Sequence, residues 1–358
     1  MPALLLFGAT GFTGRLVAHA LARRGADFAI AGRDPARLER LAAETGGPQI
    51  HIVQAGDVGS LARALDGSRV LVTCVGPFLE VGDTAVEAAL RARVNYVDST
   101  GEGPFIAQLF ERDGEARAAG IAMAPAMAFD EIPADVAATH ATHEMTSADL
   151  VLTYAAPTQA SSGTVRSALG FMATSGPFID DGSVVHVHLG DRERWAPMPP
   201  PLGPRRAVSA PLAELHLAPR HLDLRNLGIY ATVGTAQRAL LKTMWPIARR
   251  ALSVPAVRKV TSEIAGRAVS APAEESARQK PWTILAEARA GDRWRNVAVT
   301  GRDVYGLSGE LLAGAAVTLA EEGYDRTGVL APTQAVEVDR LHKELVDQGV
   351  SIDVYEPR

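Results

Sequence analysis

The chain has 358 residues, 47% of them hydrophobic and 22% charged, with a formal net charge of −5 at pH 7. This balance excludes a disordered chain and leaves no basic excess to neutralise a nucleic-acid backbone, while the length predicts two domains. A lone cysteine, Cys74, excludes an internal disulfide and a multi-thiolate zinc site.

The chain opens on MPALLLFGATGF, where a glycine-rich turn follows a short apolar run with no basic segment before it. That argues against a signal peptide, and no apolar stretch approaches the roughly 18 to 20 residues of a membrane span. A cytoplasmic protein is the expectation. From residue 1 to about 130, apolar runs at 3–7, 27–31, 50–53, 70–74, 95–97 and 121–124 alternate with stretches of helical period such as TGRLVAHALARRG and DPARLERLAAETGG. Asp34 before Pro35, and Gly25 after Arg23 and Arg24, are helix start and stop signals. Strand and helix in repeated alternation predict an α/β domain built on a doubly wound parallel sheet.

After Phe129 the pattern changes. A strand is expected at 149–155, a helix at 163–175 capped by Ser161 or Ser162, and a strand at 184–189. Residues 195–206, WAPMPPPLGPRR, are too proline-rich for a helix or central strand and read as a surface loop or lid. Residues 282–290 and 294–300 around Gly291-Asp292 read as a hairpin, followed by helices at 308–322 and 335–348 and a strand at 351–355. The stretch 236–260 is amphipathic and basic; it suits an anionic membrane surface, an entrance for an acidic or acylated ligand, or a solvated face with Leu240, Leu241, Trp245 and Ile247 turned inward.

The chemistry-bearing motif is Gly8-Ala9-Thr10-Gly11-Phe12-Thr13-Gly14, between the first strand and first helix. Without side chains at 8 and 11 the backbone turns tightly and approaches a pyrophosphate lying on the helix N-terminus, and Gly14 allows close helix packing. The second strand runs into Arg33 and Asp34, where such folds read the adenosine ribose. Arg33, with Arg37 one turn on, favours the 2′-phosphate of NADP, although Asp34 leaves NAD open. Asp57 after the third strand is placed either for the adenine edge or as a helix cap. Cys74-Val75-Gly76-Pro77 ends the fourth strand at the ligand-binding edge, on the nicotinamide side; Cys74 is a candidate nucleophile or a buried, inert thiol. Tyr96, Asp98, Ser99, Thr100 and Glu102 around the fifth strand, and Asp130, Glu131 and Asp135 after the sixth, are candidate proton donors or substrate anchors, of which Tyr96, Asp98 and Asp130 lead. Each also reads as a turn or cap residue.

No tyrosine is followed four residues later by lysine, so the short-chain dehydrogenase mechanism is not expected. His140, His143 and Glu144, and the pair His186 and His188, do not match a metalloprotease spacing, and no metal site is expected.

Taken together, GATGFTGRLVAHAL, AGRDPARLERL, VLVTCVGPFLEVGDTAVEAALRARVNYVDSTGE and AFDEIPADVA resemble the saccharopine dehydrogenase-like family, in the branch of trans-acting enoyl reductases and saccharopine dehydrogenase-like oxidoreductases. The similarity continues weakly through Ser162-Gly163-Thr164, PAEESARQKPWTILAEA and TGVLAPTQAV. The resemblance implies a Rossmann domain over 1–130, an α+β substrate and dimerisation lobe over 131–304, and C-terminal helices over 305–358 returning to the first domain. It also implies NADPH-dependent hydride transfer to an activated C=C bond or, as the alternative, to a C=N bond formed from an amine and a keto acid. Ala128 and Glu131 depart from the branch, on the substrate side. An imine substrate with several carboxylates would call for convergent arginines, for which Arg166, Arg192, Arg194, Arg205 and Arg206 are candidates. A non-catalytic NADPH sensor is the alternative from another class. The expected partners are a small-molecule or acyl-type substrate and a second copy, with the glycine- and alanine-rich helix around 311–320 as a dimer contact.

Overall fold

The computed structural model describes residues 2–155, 174–243, 245–252, 254, 257, 261 and 280–355. It divides into two compact units, 1–132 with 304–348 and 133–303 with 349–358.

In the first unit the apolar runs become β1 (Leu4–Phe7), β2 (Phe28–Gly32), β3 (Gln49–Ile52), β4 (Val70–Thr73), β5 (Asn95–Asp98) and β6 (Ala122–Ala124). Between them run α1 (Phe12–Arg23), α2 (Pro35–Glu44), α3 (Val58–Ala64), α4 (Phe78–Val81), α5 (Asp83–Ala92), α6 (Gly103–Glu111) and α7 (Asp113–Ala119). The strands are parallel in the order β6-β5-β4-β1-β2-β3, so the winding reverses between β1 and β4. Leu4, Leu5 and Leu6 are all buried because helices cover both faces of the sheet; each contributes about 1.5 to 3 kcal/mol. Ligands of such sheets bind outside the carboxyl ends of the strands at that reversal, with one mononucleotide half on each side.

The second unit takes up the chain within α8 (Glu131–Ala141) and builds β7 (Ala148–Ala155), β8 (Gly176–Asp180), β9 (Ser183–Val187), β10 (Glu193–Ala196), β11 (Arg205–Ser209), β12 (Leu224–Thr232), β13 (Trp282–Ala290) and β14 (Arg293–Gly301). The sheet is mixed: β12 and β7 are parallel and the remaining pairs antiparallel, with β8 and β9 forming a hairpin beside β12. The proline-rich stretch departs from its expected extent. Trp195 and Ala196 lie in β10 and Arg205 and Arg206 in β11, because every proline of the stretch falls in the connection at 197–204 and the flanking residues keep their N–H groups for the ladder. That connection is not a free lid: Met198 is buried in a core cluster with Ala196, Leu285 and Ala298.

The basic stretch opens with helices Thr235–Thr243 and Trp245–Leu252, and Trp245 packs on the cluster of Leu189, Val208 and Ala210. The expected helix at 163–175, with Ser161, Ser162 and Arg166, lies outside the described residues except at its end, as does most of 253–279.

The return to the first unit comprises helix Val304–Leu319, the short strand β15 (Gly328–Val329) parallel to β6, and helices Pro332–Ala335 and Val338–Asp347. One helix was expected over 335–348; it starts only at Val338 because Val336 is extended. The return also stops at Gln348, since β16 (Ser351–Tyr355) pairs antiparallel with β14 in the second unit. Leu311, Leu312, Ala315 and Ala316 are buried within the first unit, while Gly314, Val317 and Ala320 of the same stretch are partly exposed. Gly309 packs against α1 so closely that a Cβ there would lie 2.8 Å from the Leu16 Cβ.

Candidate functional site

The glycine loop joins β1 to α1 at the winding reversal. Gly8 has φ +82°, a conformation that favours glycine, and a Cβ on it would lie 2.6 Å from Val75 Cγ2. A Cβ on Gly14 would sit 2.2 Å from the Gly8 carbonyl oxygen, so only glycine allows α1 to seat on the loop. Gly11 is the N-cap of α1, no side chain caps the helix, and no acid occupies its first turn. The free N–H groups and positive dipole end therefore face outward, an arrangement that fits a pyrophosphate. Thr10, Phe12 and Thr13 are partly exposed along this loop, with the Phe12 ring edge-on to Tyr305 at 5.0 Å.

Beyond β2, Arg33 and Arg37 are exposed. Arg37 reaches back to donate to the Thr10 carbonyl at 2.7 Å, bringing a guanidinium to the rim of the loop. Asp34 caps α2, its carboxylate accepting the Arg37 backbone N–H at 3.1 Å. With the acid engaged and Arg33 exposed, the ribose end is built for a phosphate more than for a bare 2′-hydroxyl. Asp57 likewise takes its capping role on α3, accepting the Ser60 N–H at 2.9 Å; bonds from the Ser60 side chain and from that N–H hold its carboxyl below the usual range.

On the other side of the reversal, the loops after β4, β5 and β6 carry the remaining candidates. Val75, Gly76 and Pro77 pass the glycine loop with their surfaces at least partly accessible. Cys74 is half-buried, and desolvation pushes its thiol up to about 12 although Ser99 bonds to it, which disfavours the thiolate that a nucleophile needs. Tyr96 and Asp98 have no accessible surface, and the Tyr96 hydroxyl donates to Asp98 at 2.5 Å. Burial holds the tyrosine well above its ordinary range and pushes Asp98 up to about 6. Neither touches solvent, so the proton-donating role expected of them gives way to an internal brace. Asp130 is partly exposed and holds φ +82°, an unfavourable conformation for a residue with a side chain and one that surrounding structure must enforce. Of the three leading proton-donor candidates it alone is accessible. Glu131 is buried, close enough to Gly101 that a Cβ there would lie 3.0 Å from its carboxylate.

Sequence reasoning listed Glu102 among proton donors and missed what it does. It is buried at the N-cap of α6 yet does not cap that helix; its carboxylate accepts the N–H groups of Phe78 at 2.9 Å and Leu79 at 3.0 Å. No local signal in the sequence joins positions 78 and 102.

In the second unit the candidate arginines are largely engaged. Arg192 makes a bidentate pair with Asp180 and lies over the Phe178 ring; Arg194 does the same with Glu287 and Tyr230. Arg206 stacks on Trp195, while Arg205 is exposed on β11. Of the histidines, His188 pairs with Asp191 at 3.1 Å. A group that sequence reading did not single out is Glu214 in the short helix Glu214–Leu217, buried beside Tyr154 and pushed by burial up to about 7. Asp135 is buried and bonded to His221 at 2.7 Å, where the carboxylate outweighs burial and raises the imidazole. Among the described residues no group of three or more His, Cys, Asp or Glu is arranged to hold a metal ion.

A glycine loop under an uncapped helix, at the winding reversal of a parallel sheet, defines the class: a dinucleotide-binding domain, with arginines at the end where the ribose is read. Residues 4–127 match the profile of the family described as saccharopine dehydrogenase NADP binding domain. Residues 4–127 of the first unit are thus similar to the NADP-binding domain of that family. The chain is 32% identical over 188 residues to the trans-acting enoyl reductase of Mycobacterium ulcerans (strain Agy99), covering 48% of this chain and 45% of that one. It is 28% identical over 162 residues to the human saccharopine dehydrogenase-like oxidoreductase, covering 40% and 38%. Both matches thus span less than half of the relative. In fold, the chain is similar along its whole length to apo saccharopine dehydrogenase (L-Glu forming) from Saccharomyces cerevisiae, with a TM-score of 0.67, 14% identity and 100% of each chain covered.

Proposed function

We propose that this chain is an NADPH-dependent reductase acting on an activated C=C bond of an acyl-type substrate. The observation that carries the reading is the pairing of an uncapped, acid-free α1 N-terminus with an exposed Arg33 while Asp34 is committed to its own helix. When bound, NADPH supplies the hydride. The backbone of Gly8 to Gly14 would hold the pyrophosphate, Arg33 and Arg37 the 2′-phosphate, and the segment Cys74 to Pro77 the nicotinamide side. Hydride addition to an enoyl group leaves a carbanion-like carbon that must take a proton. Asp130 is the residue we assign to that transfer or to ordering the water that makes it, because it combines access with an enforced backbone geometry.

The enoyl reading draws on the name of the relative from Mycobacterium ulcerans. The imine alternative would need cationic groups for several substrate carboxylates, and Arg192 and Arg194 already hold Asp180 and Glu287. The reading sets the reaction in the cytoplasm; among the described residues, no helix is long and apolar enough to cross a membrane.

The test is NADPH oxidation followed by absorbance with three panels: enoyl thioesters, cyclic imines, and keto-acid/amine pairs. Turnover confined to the enoyl panel is the expected result. Turnover with imines alone would replace the C=C assignment, and tight NADPH binding with no turnover in any panel would make the chain a sensor.

A further inference from the structure

Two buried carboxylates tie together the three loops of the nicotinamide half. Asp98, at the end of β5, accepts the Thr100 N–H at 2.9 Å within its own loop and the Ala126 N–H at 2.8 Å from the loop after β6. Its carbonyl accepts the Met127 N–H as well, at 2.8 Å. Ala126 holds φ +62°, so Asp98 fastens a strained residue in the same loop that ends in Asp130. Glu102 continues the chain of contacts in the other direction. Its backbone N–H donates to Thr100 Oγ1 at 3.1 Å, and its two carboxylate oxygens each take one N–H from Phe78 and Leu79. Those N–H groups open the turn immediately after Pro77. The segment so held is the one that packs on the glycine loop, where Val75 closes on Gly8.

The Glu102 side chain makes no capping bond to its own helix. Its carboxylate spans to a separate loop instead, and charge-assisted bonds of that kind are stronger than neutral ones. We propose that Glu102, supported by Asp98, is a positioning residue that sets the nicotinamide half of the cofactor site without touching the adenosine half. The proposal rests on the NADPH reading above. Gln at 102 keeps the shape but offers one acceptor oxygen, and its amide nitrogen then opposes a second N–H donor.

The experiment compares wild type with Glu102→Gln in calorimetric binding of two ligands: NADPH, and adenosine 2′,5′-bisphosphate, which carries the adenosine half alone. The expected result is a loss of about tenfold or more in NADPH affinity, the size of one charge-assisted bond, with the bisphosphate changed by less than about twofold. Unchanged NADPH binding, or equal weakening of both ligands, overturns the positioning role while leaving the NADPH reading standing. Failure of wild type to bind NADPH overturns the reading and the proposal together. If Glu102→Gln does not give a cooperative melt, Thr100→Val removes the acceptor for the Glu102 N–H. It should produce the same selective loss at about threefold, and equal weakening of both ligands overturns the role there too.

Discussion

Replacing Arg33 with alanine should separate the two nicotinamide cofactors. A hydrogen bond to a charged group contributes about 1.5 to 3 kcal/mol, which is roughly ten- to 150-fold in Kd. Arg33 is exposed, so solvent screening puts its contribution at the lower end, and a loss of about ten- to thirtyfold in NADPH affinity is expected. NADH, which lacks the 2′-phosphate, should change by less than about twofold. Arg37 remains in the variant, tied to the Thr10 carbonyl, and preserves the rim of the glycine loop; the loss at Arg33 therefore reads charge recognition and not loop collapse. Calorimetry at two salt concentrations is the assay. The wild-type preference for NADPH should narrow as salt rises, because the contact is solvent-facing. Equal weakening of NADPH and NADH by Arg33→Ala would refute the assignment.

Gly14→Ala should abolish cofactor binding and lower stability by about 1 to 3 kcal/mol, because the new methyl meets the Gly8 backbone, which has no side-chain freedom with which to yield. A thermal melt and NADPH titration check this, and near-wild-type values in both would contradict the packing argument. Glu214 makes stability depend on pH. Its folded pKa of about 7 lies above its ordinary value of 4.5, so its contribution is fully present below about pH 4.5 and is lost as pH rises through about 7. Glu214→Gln should therefore melt higher than wild type at about pH 9, with the advantage gone at about pH 5; a pH-independent difference would rule the carboxyl out as its source.

The cofactor half of the molecule is legible in sequence because its information is local. Strands such as Leu4–Phe7 and Val70–Thr73 are buried on both faces and read as unbroken apolar runs, and Asp34-Pro35 announces α2 at the right residue. The same locality explains the capping role of Asp57, one of the two readings that its position left open. What escaped depends on contacts between distant residues. The parallel pairing of β7 with β12 brings Leu150 beside Leu227, and no periodicity announces such a partner. The extent of β10 and β11 was hidden by prolines that belong only to their connection. Tyr96 and Asp98 look like catalytic residues in sequence because they are polar at a ligand-binding edge. Their burial and mutual bond are visible only once α5, the helix Val304–Leu319 and β6 have closed around β5.

Label transfer from NADPH deuterated on the nicotinamide C4 tests the central claim most directly. Incubation with an enoyl thioester that supports turnover, followed by mass spectrometry of the product, should show one deuterium on the reduced acyl chain from one face of the nicotinamide. It should also show one solvent-derived hydrogen on the adjacent carbon. Tight binding of NADPH with no label in any acyl product would contradict the account.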